Sequence, residues 1–147
     1  MEKYQWMIKR FKRFIKKLFH IEKEFLTSKK DESYFNSIII MDKTPNEDCL
    51  NEKDFVEVIY RNQSYWAIFN CPCGCKNVIS LPLQKNHNPH WRLDHSFEGK
   101  PTLYPSVWQN KGCMSHFWVI NGEIEWCGNT GVKPWIAEPN YYKKPIR

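Results

Sequence analysis

Three cysteines in five residues, Cys71-Pro72-Cys73-Gly74-Cys75, restrict the folds open to this chain more than any other feature. In an extended strand Cys71 and Cys75 would stand about 13 Å apart, too far to share one ion. Pro72 and Gly74 favour instead a tight turn that gathers the sulfurs. Gathered thiolates are natural ligands of Zn²⁺, at about 2.3 Å from each sulfur. One turn supplies two or three donors, so tetrahedral closure has to draw on a distant stretch, and Gly112-Cys113-Met114-Ser115-His116 offers Cys113 and His116. Two ligand sets follow: Cys71, Cys73, Cys113 and His116, or Cys71, Cys73, Cys75 and Cys113 with His116 left free. In a strand running through Cys113, residues three apart face opposite sides, and a CxxH pair converges only if residues 112–114 turn. The four-thiolate set is therefore the expectation. Against both stands the plain alternative of buried thiols without metal, since cysteine is a common small core residue. Cys49 and Cys127 lack partners at ligand spacing and read as ordinary thiols.

The charge is unevenly spread. The formal net charge is +6 over 147 residues. Residues 1–19 hold seven basic side chains against Glu2 alone, so the rest of the chain is balanced. A nucleic-acid-binding core usually carries its own basic surface, and a neutral core argues against that class. The basic segment itself reads as an amphipathic helix, with Tyr4, Met7, Phe11, Phe14, Leu18, Ile21 and Phe25 falling on one face. Three uses compete for it: packing on its own domain, docking on an acidic partner or partner helix, or lying peripherally on an anionic membrane. The lysine-studded start has no secretory core, so a cytoplasmic location is expected, where cysteines serve as thiols or metal ligands. An aromatic content of 16% excludes wholesale disorder.

The polar stretch Thr27 to Ser33 divides the chain into a helix over residues 1–30 and a zinc-stabilised β domain over residues 31–147. In the second part the pattern turns extended. Strands are predicted over residues 34–41, 55–60, 65–69, 78–83, 91–97, 102–107, 115–120 and 123–126. Hairpin turns are predicted at residues 61–64 and 98–101, and at Asn121-Gly122, the strongest signal of the three. The prolines after Cys127 predict an irregular surface tail. The whole reads as a mainly β fold, antiparallel hairpins around a zinc knuckle, with an N-terminal amphipathic α-helix.

A closed Cys₄ site is structural and leaves no open position for water, so any chemistry falls to neighbouring side chains. Ser106 ends one predicted strand and His116 begins the next, which lets them face each other across a hairpin. A serine nucleophile needs an imidazole within hydrogen-bond reach and a third group to orient it. Asp94 is a nearby candidate for that third group. The plainer readings are a turn hydroxyl for Ser106 and a metal ligand for His116. His87, His90 and His95 either line a pocket or lie solvated.

Taken together, Cys71-Pro-Cys73-Gly-Cys75, Val78-Ile-Ser-Leu, Trp91, Gly99-Lys-Pro-Thr-Leu103, Pro105-Ser106-Val107, Cys113-Met-Ser115-His116-Phe117-Trp118 and Asn121-Gly-Glu-Ile-Glu-Trp126 carry a resemblance. Over residues 65–127 the chain resembles a family of small bacterial proteins, classed as a domain of unknown function. That family is encoded beside ubiquitin-like proteins and E1/E2-like conjugating enzymes, often in mobile or phage-defence settings. The family pattern has glycine after the third cysteine, where this chain has Lys76. The resemblance implies a metal site with a retained serine and histidine. It implies one of two roles: a peptidase that matures or removes a ubiquitin-like modifier, with Ser106 as nucleophile and His116 as base, or a non-catalytic zinc-stapled interaction module of the same pathway. Partners would be the ubiquitin-like protein or the E1/E2-like enzymes.

Overall fold

The computed structural model describes residues 33–140. The expected helix over residues 1–30, and any docking through it, lies outside the described residues. Among those described, the strands are β1 (Ile38–Met41), β2 (Phe55–Tyr60), β3 (Gln63–Asn70), β4 (Val78–Pro82), β5 (Arg92–His95), β6 (Pro101–Tyr104), β7 (Val107–Trp108), β8 (His116–Ile120) and β9 (Glu123–Trp126). A 3-10 turn at Glu47–Cys49 and one short helix, α1 (Pro134–Ala137), complete the regular structure. Among the described residues no helix is long and apolar enough to cross a membrane.

The strands form three sheets, ordered β1-β2-β3-β4, β5-β6 and β7-β8-β9. Two hairpins turn where the sequence predicts. Arg61 and Asn62 between β2 and β3 both have positive φ, as do Asn121 and Gly122 between β8 and β9. This is the pairing whose twist matches that of the flanking strands. Gly122 is needed for a second reason: a Cβ there would stand 2.2 Å from the Phe35 carbonyl oxygen. That close approach lets Phe35 N–H donate to Gly122 O and turns the Phe35 ring inward. The strand predicted from residue 34 therefore starts only at Ile38. It also pairs with β2 in parallel rather than as a hairpin. The long connection from Asp42 to Asp54 permits this, because a parallel pair needs a crossover that a tight turn cannot provide.

Side chains from all three sheets meet in one core: Phe35, Phe55, Phe69 and Leu81 with Leu103, Val107, Phe117 and Val119. Phe55 and Phe69 stack at 5.0 Å, with Phe35 edge-on to both. Each fully buried phenylalanine contributes about 1.5–3 kcal/mol relative to an exposed one. A smaller cluster of Val56, Val58 and Ile68 covers the opposite face of the first sheet.

One charged group enters the core face. Glu57 is buried, and its carboxylate takes a hydrogen bond from Ser64 Oγ at 2.5 Å and pairs with His95 Nε2 at 2.8 Å. A buried carboxylate held this way ties β5 to the first sheet. His95 is thus structural. His87 lies edge-on to Trp66, and His90 Nδ1 contacts the His87 carbonyl.

Candidate functional site

The period-2 alternation of β3 carries its core face through Ala67 and Phe69 to Cys71, which is buried. The chain then turns back at once: Gly74 N–H donates to Cys71 O, and Cys71 N–H donates to Asn77 O. Gly74 has φ +84° and Lys76 has φ +62°. Lys76 thus sits in the left-handed region that suits glycine and strains most other residues. The second cysteine loop closes against the first at Gly112, where a Cβ would lie 2.8 Å from Asn77 Nδ2.

These turns bring Cys71, Cys73, Cys75 and Cys113 together, with all four sulfurs within 4.8 Å of one another. Cys71 Sγ lies 3.4 Å from Cys73 Sγ and 3.8 Å from Cys113 Sγ. A tetrahedron of sulfurs about 2.3 Å from a central ion has edges of about 3.8 Å, so the quartet is spaced to hold a metal. None of the six cysteines forms a disulfide. Ser115 Oγ donates to Cys113 Sγ at 3.1 Å. Burial pushes the Cys71 thiol far up. It works the same way on Cys73, but hydrogen bonds, that of Ser115 foremost, overcome it and bring that thiol down to about 6. Burial also raises Cys75 and Cys127. Cys49 and Cys127 stand outside the quartet.

Residues 112–114 do turn, with Gly112 and Met114 at positive φ, yet His116 does not join the sulfurs. It opens β8, whose Phe117 and Val119 face the core, so the imidazole leaves on the other face. There Ser106 Oγ stands 2.9 Å from His116 Nε2. Ser106 sits between β6 and β7, its carbonyl receiving the Trp91 indole N–H at 3.4 Å. The opposite ring nitrogen, Nδ1, is 2.6 Å from Asn129 Oδ1. An amide oxygen only accepts, so Nδ1 carries the proton and Nε2 is left to accept from the serine hydroxyl.

The group on the far side of the His116 ring is therefore Asn129 and not Asp94. Asp94 is exposed on β5 and pairs with Arg92 Nε at 3.2 Å. The predicted irregular tail is in part a built turn. Cys127 N–H donates to His116 O, Thr130 N–H donates to Cys127 O, and Thr130 Oγ1 accepts from His116 N–H. The turn thus clamps the backbone of His116 while presenting Asn129 to its ring. The sequence signal for it was the turn-forming run Cys127-Gly-Asn-Thr-Gly directly after β9. Trp108, opposite His116 in the β7–β8 register, lies flat on the imidazole with centroids 4.1 Å apart.

A concavity of about 450 Å³ lies beside the Cys71 turn, lined by Glu47, Asp48, Glu52, Asn70, Cys71 and Lys76 among others. Neither Ser106 nor His116 lines it.

Residues 41–127 match the family described as Bacterial ubiquitination-like system serine protease (BubE), more than half of the chain, and the chain belongs to that family. No curated protein and no solved structure matches it.

Proposed function

Starting from that family membership, we propose that the chain is a serine hydrolase that cleaves the acyl bond at the C-terminal tail of a ubiquitin-like protein, with Ser106 as nucleophile and His116 as general base. The hydrogen-bonded series Ser106 Oγ, His116 Nε2, His116 Nδ1, Asn129 Oδ1 carries this reading. Ser106 Oγ attacks the carbonyl carbon as its proton passes to Nε2. The tetrahedral species collapses when Nε2–H protonates the leaving group, leaving an acyl ester on Oγ. A water, deprotonated by the same nitrogen, then releases the acid and restores the serine. Asn129 keeps the imidazole in the tautomer that accepts at Nε2, the part an asparagine plays in Cys-His-Asn enzymes.

Cys71, Cys73, Cys75 and Cys113 would hold one structural Zn²⁺. When bound it supplies cross-linking of the two cysteine turns and no open coordination position. Because His116 lies three residues beyond Cys113, closing the quartet fixes where β8 begins.

A fluorophosphonate, which reports an activated serine by losing fluoride to it, is expected to label Ser106 stoichiometrically in the wild-type chain and not in His116→Ala. Mass spectrometry of the labelled peptide reads this, and labelling independent of His116 would count against the pair.

Asn129→Ala is expected to reduce cleavage of a ubiquitin-like precursor about 10²-fold, within the usual range for impaired acid–base catalysis. Asn129→Asp retains an acceptor oxygen and should stay within about tenfold of wild type. Equal losses in the two variants, seen in steady-state rates, would show that the acceptor is not what matters.

A further inference from the structure

Resting on the proposed hydrolase reading, we infer that Trp108 is a positioning residue for His116, holding the ring in plane and favouring its cationic form as the serine proton arrives. The two rings are 3° from parallel with centroids 4.1 Å apart. Such a stack fixes the one degree of freedom that the two ring-nitrogen hydrogen bonds leave open, rotation of the imidazole about the Ser106–Asn129 line. The indole is itself held in place. Its Nε1–H donates to Val132 O at 3.2 Å, and its backbone is locked in the β7–β8 register.

The stack also has an electrostatic consequence. The face of an aromatic ring is negative, and tryptophan binds a cation over its face best of the aromatic side chains. Neutral imidazole gains little from this, whereas imidazolium gains appreciably. The contact is therefore stronger in the transition state, where the ring carries the proton, than in the resting enzyme.

Among the described residues, the other groups that bond to His116 are Ser106 from the β6–β7 connection and Asn129 and Thr130 from the turn after β9. None of these ionises near neutral pH. Cys127 meets only the His116 backbone carbonyl, and its thiol is raised by burial. Lys133, next to the Val132 anchor, directs its ammonium over the Trp135 ring at 5.9 Å. Beside His116 the indole face and the Asn129 amide oxygen are the groups that favour its charge.

The test follows the His116 ring protons by NMR through a pH titration of the full-length wild type, Trp108→Phe and Trp108→Leu. Trp108→Leu is expected to lower the His116 midpoint by about half a unit to one unit, and Trp108→Phe by less, in line with a partly desolvated cation–π contact. In cleavage of a ubiquitin-like precursor, Trp108→Leu should lower kcat about three- to tenfold with KM nearly unchanged. The acid limb of its rate profile should move to lower pH, whereas a merely structural loss would lower the plateau without moving the limb. An unchanged His116 midpoint in a folded Trp108→Leu or Trp108→Phe protein overturns the inference. The NMR arm needs no turnover, so absence of cleavage in the wild type would remove the hydrolase reading alone.

Discussion

Ser106→Ala is expected to lower cleavage of a ubiquitin-like precursor by at least about 10³-fold. Removing the nucleophile of a serine–histidine pair leaves only the acceleration that substrate binding and fixed dipoles still supply. The substitution is mild toward the fold. Ser106 is half-buried, and its hydroxyl bonds to a side chain, His116, on the face opposite the core. Metal content and melting temperature should therefore stay at wild-type values, and intact-mass analysis of the precursor reads the cleavage directly. Wild-type cleavage by a folded, metal-loaded Ser106→Ala protein would eliminate the serine mechanism. It would leave the chain as a non-catalytic interaction module of the pathway.

The second large effect concerns the thiol quartet. Purified protein is expected to carry about one equivalent of zinc, and chelation or Cys113→Ser should lower Tm by roughly 10–20 °C, as a loss of several kcal/mol does in a chain of this size. Cys113 is the right residue to change because it is the one sulfur of the quartet from outside the first turn. Without it the three remaining thiols close no long loop. Activity should fall with the metal, since the turn that carries Cys113 leads directly into His116. Calorimetry with and without chelator, alongside elemental analysis, checks this. A Tm unmoved by chelator in protein free of metal would show that the hydrophobic core alone holds the two turns together.

These two outcomes separate the roles of the two clusters. Loss at Ser106 would be chemical with the fold intact. Loss at Cys113 would be structural first and catalytic second. A chain in which Ser106→Ala also melts early would contradict the division, because Ser106 contacts neither the sulfurs nor the phenylalanine core.

The local elements of this protein are written in nearest-neighbour terms. Asn121-Gly122 makes a hairpin turn because those two residues tolerate positive φ, whatever surrounds them. Pro72 and Gly74 bend the cysteine run for the same kind of reason, and the alternation of β3 by itself directs Cys71 inward. The closeness of Ser106 to His116 was legible too, because a short hairpin brings its two ends together. Tertiary structure decided the rest. Asn129 reaches His116 because β9 returns alongside β8 and the chain then curls past its start; the run after Cys127 signals a turn but not which side chain that turn will meet. Trp108 meets the imidazole only through the β7–β8 register, where a slip of one residue would carry it to the core face. The parallel pairing of β1 depends on Phe35 being drawn against Gly122, a contact between stretches far apart in sequence. Backbone torsion preferences act between neighbours and can be read along the chain, whereas the groups that orient a ring come together only once the sheets have packed.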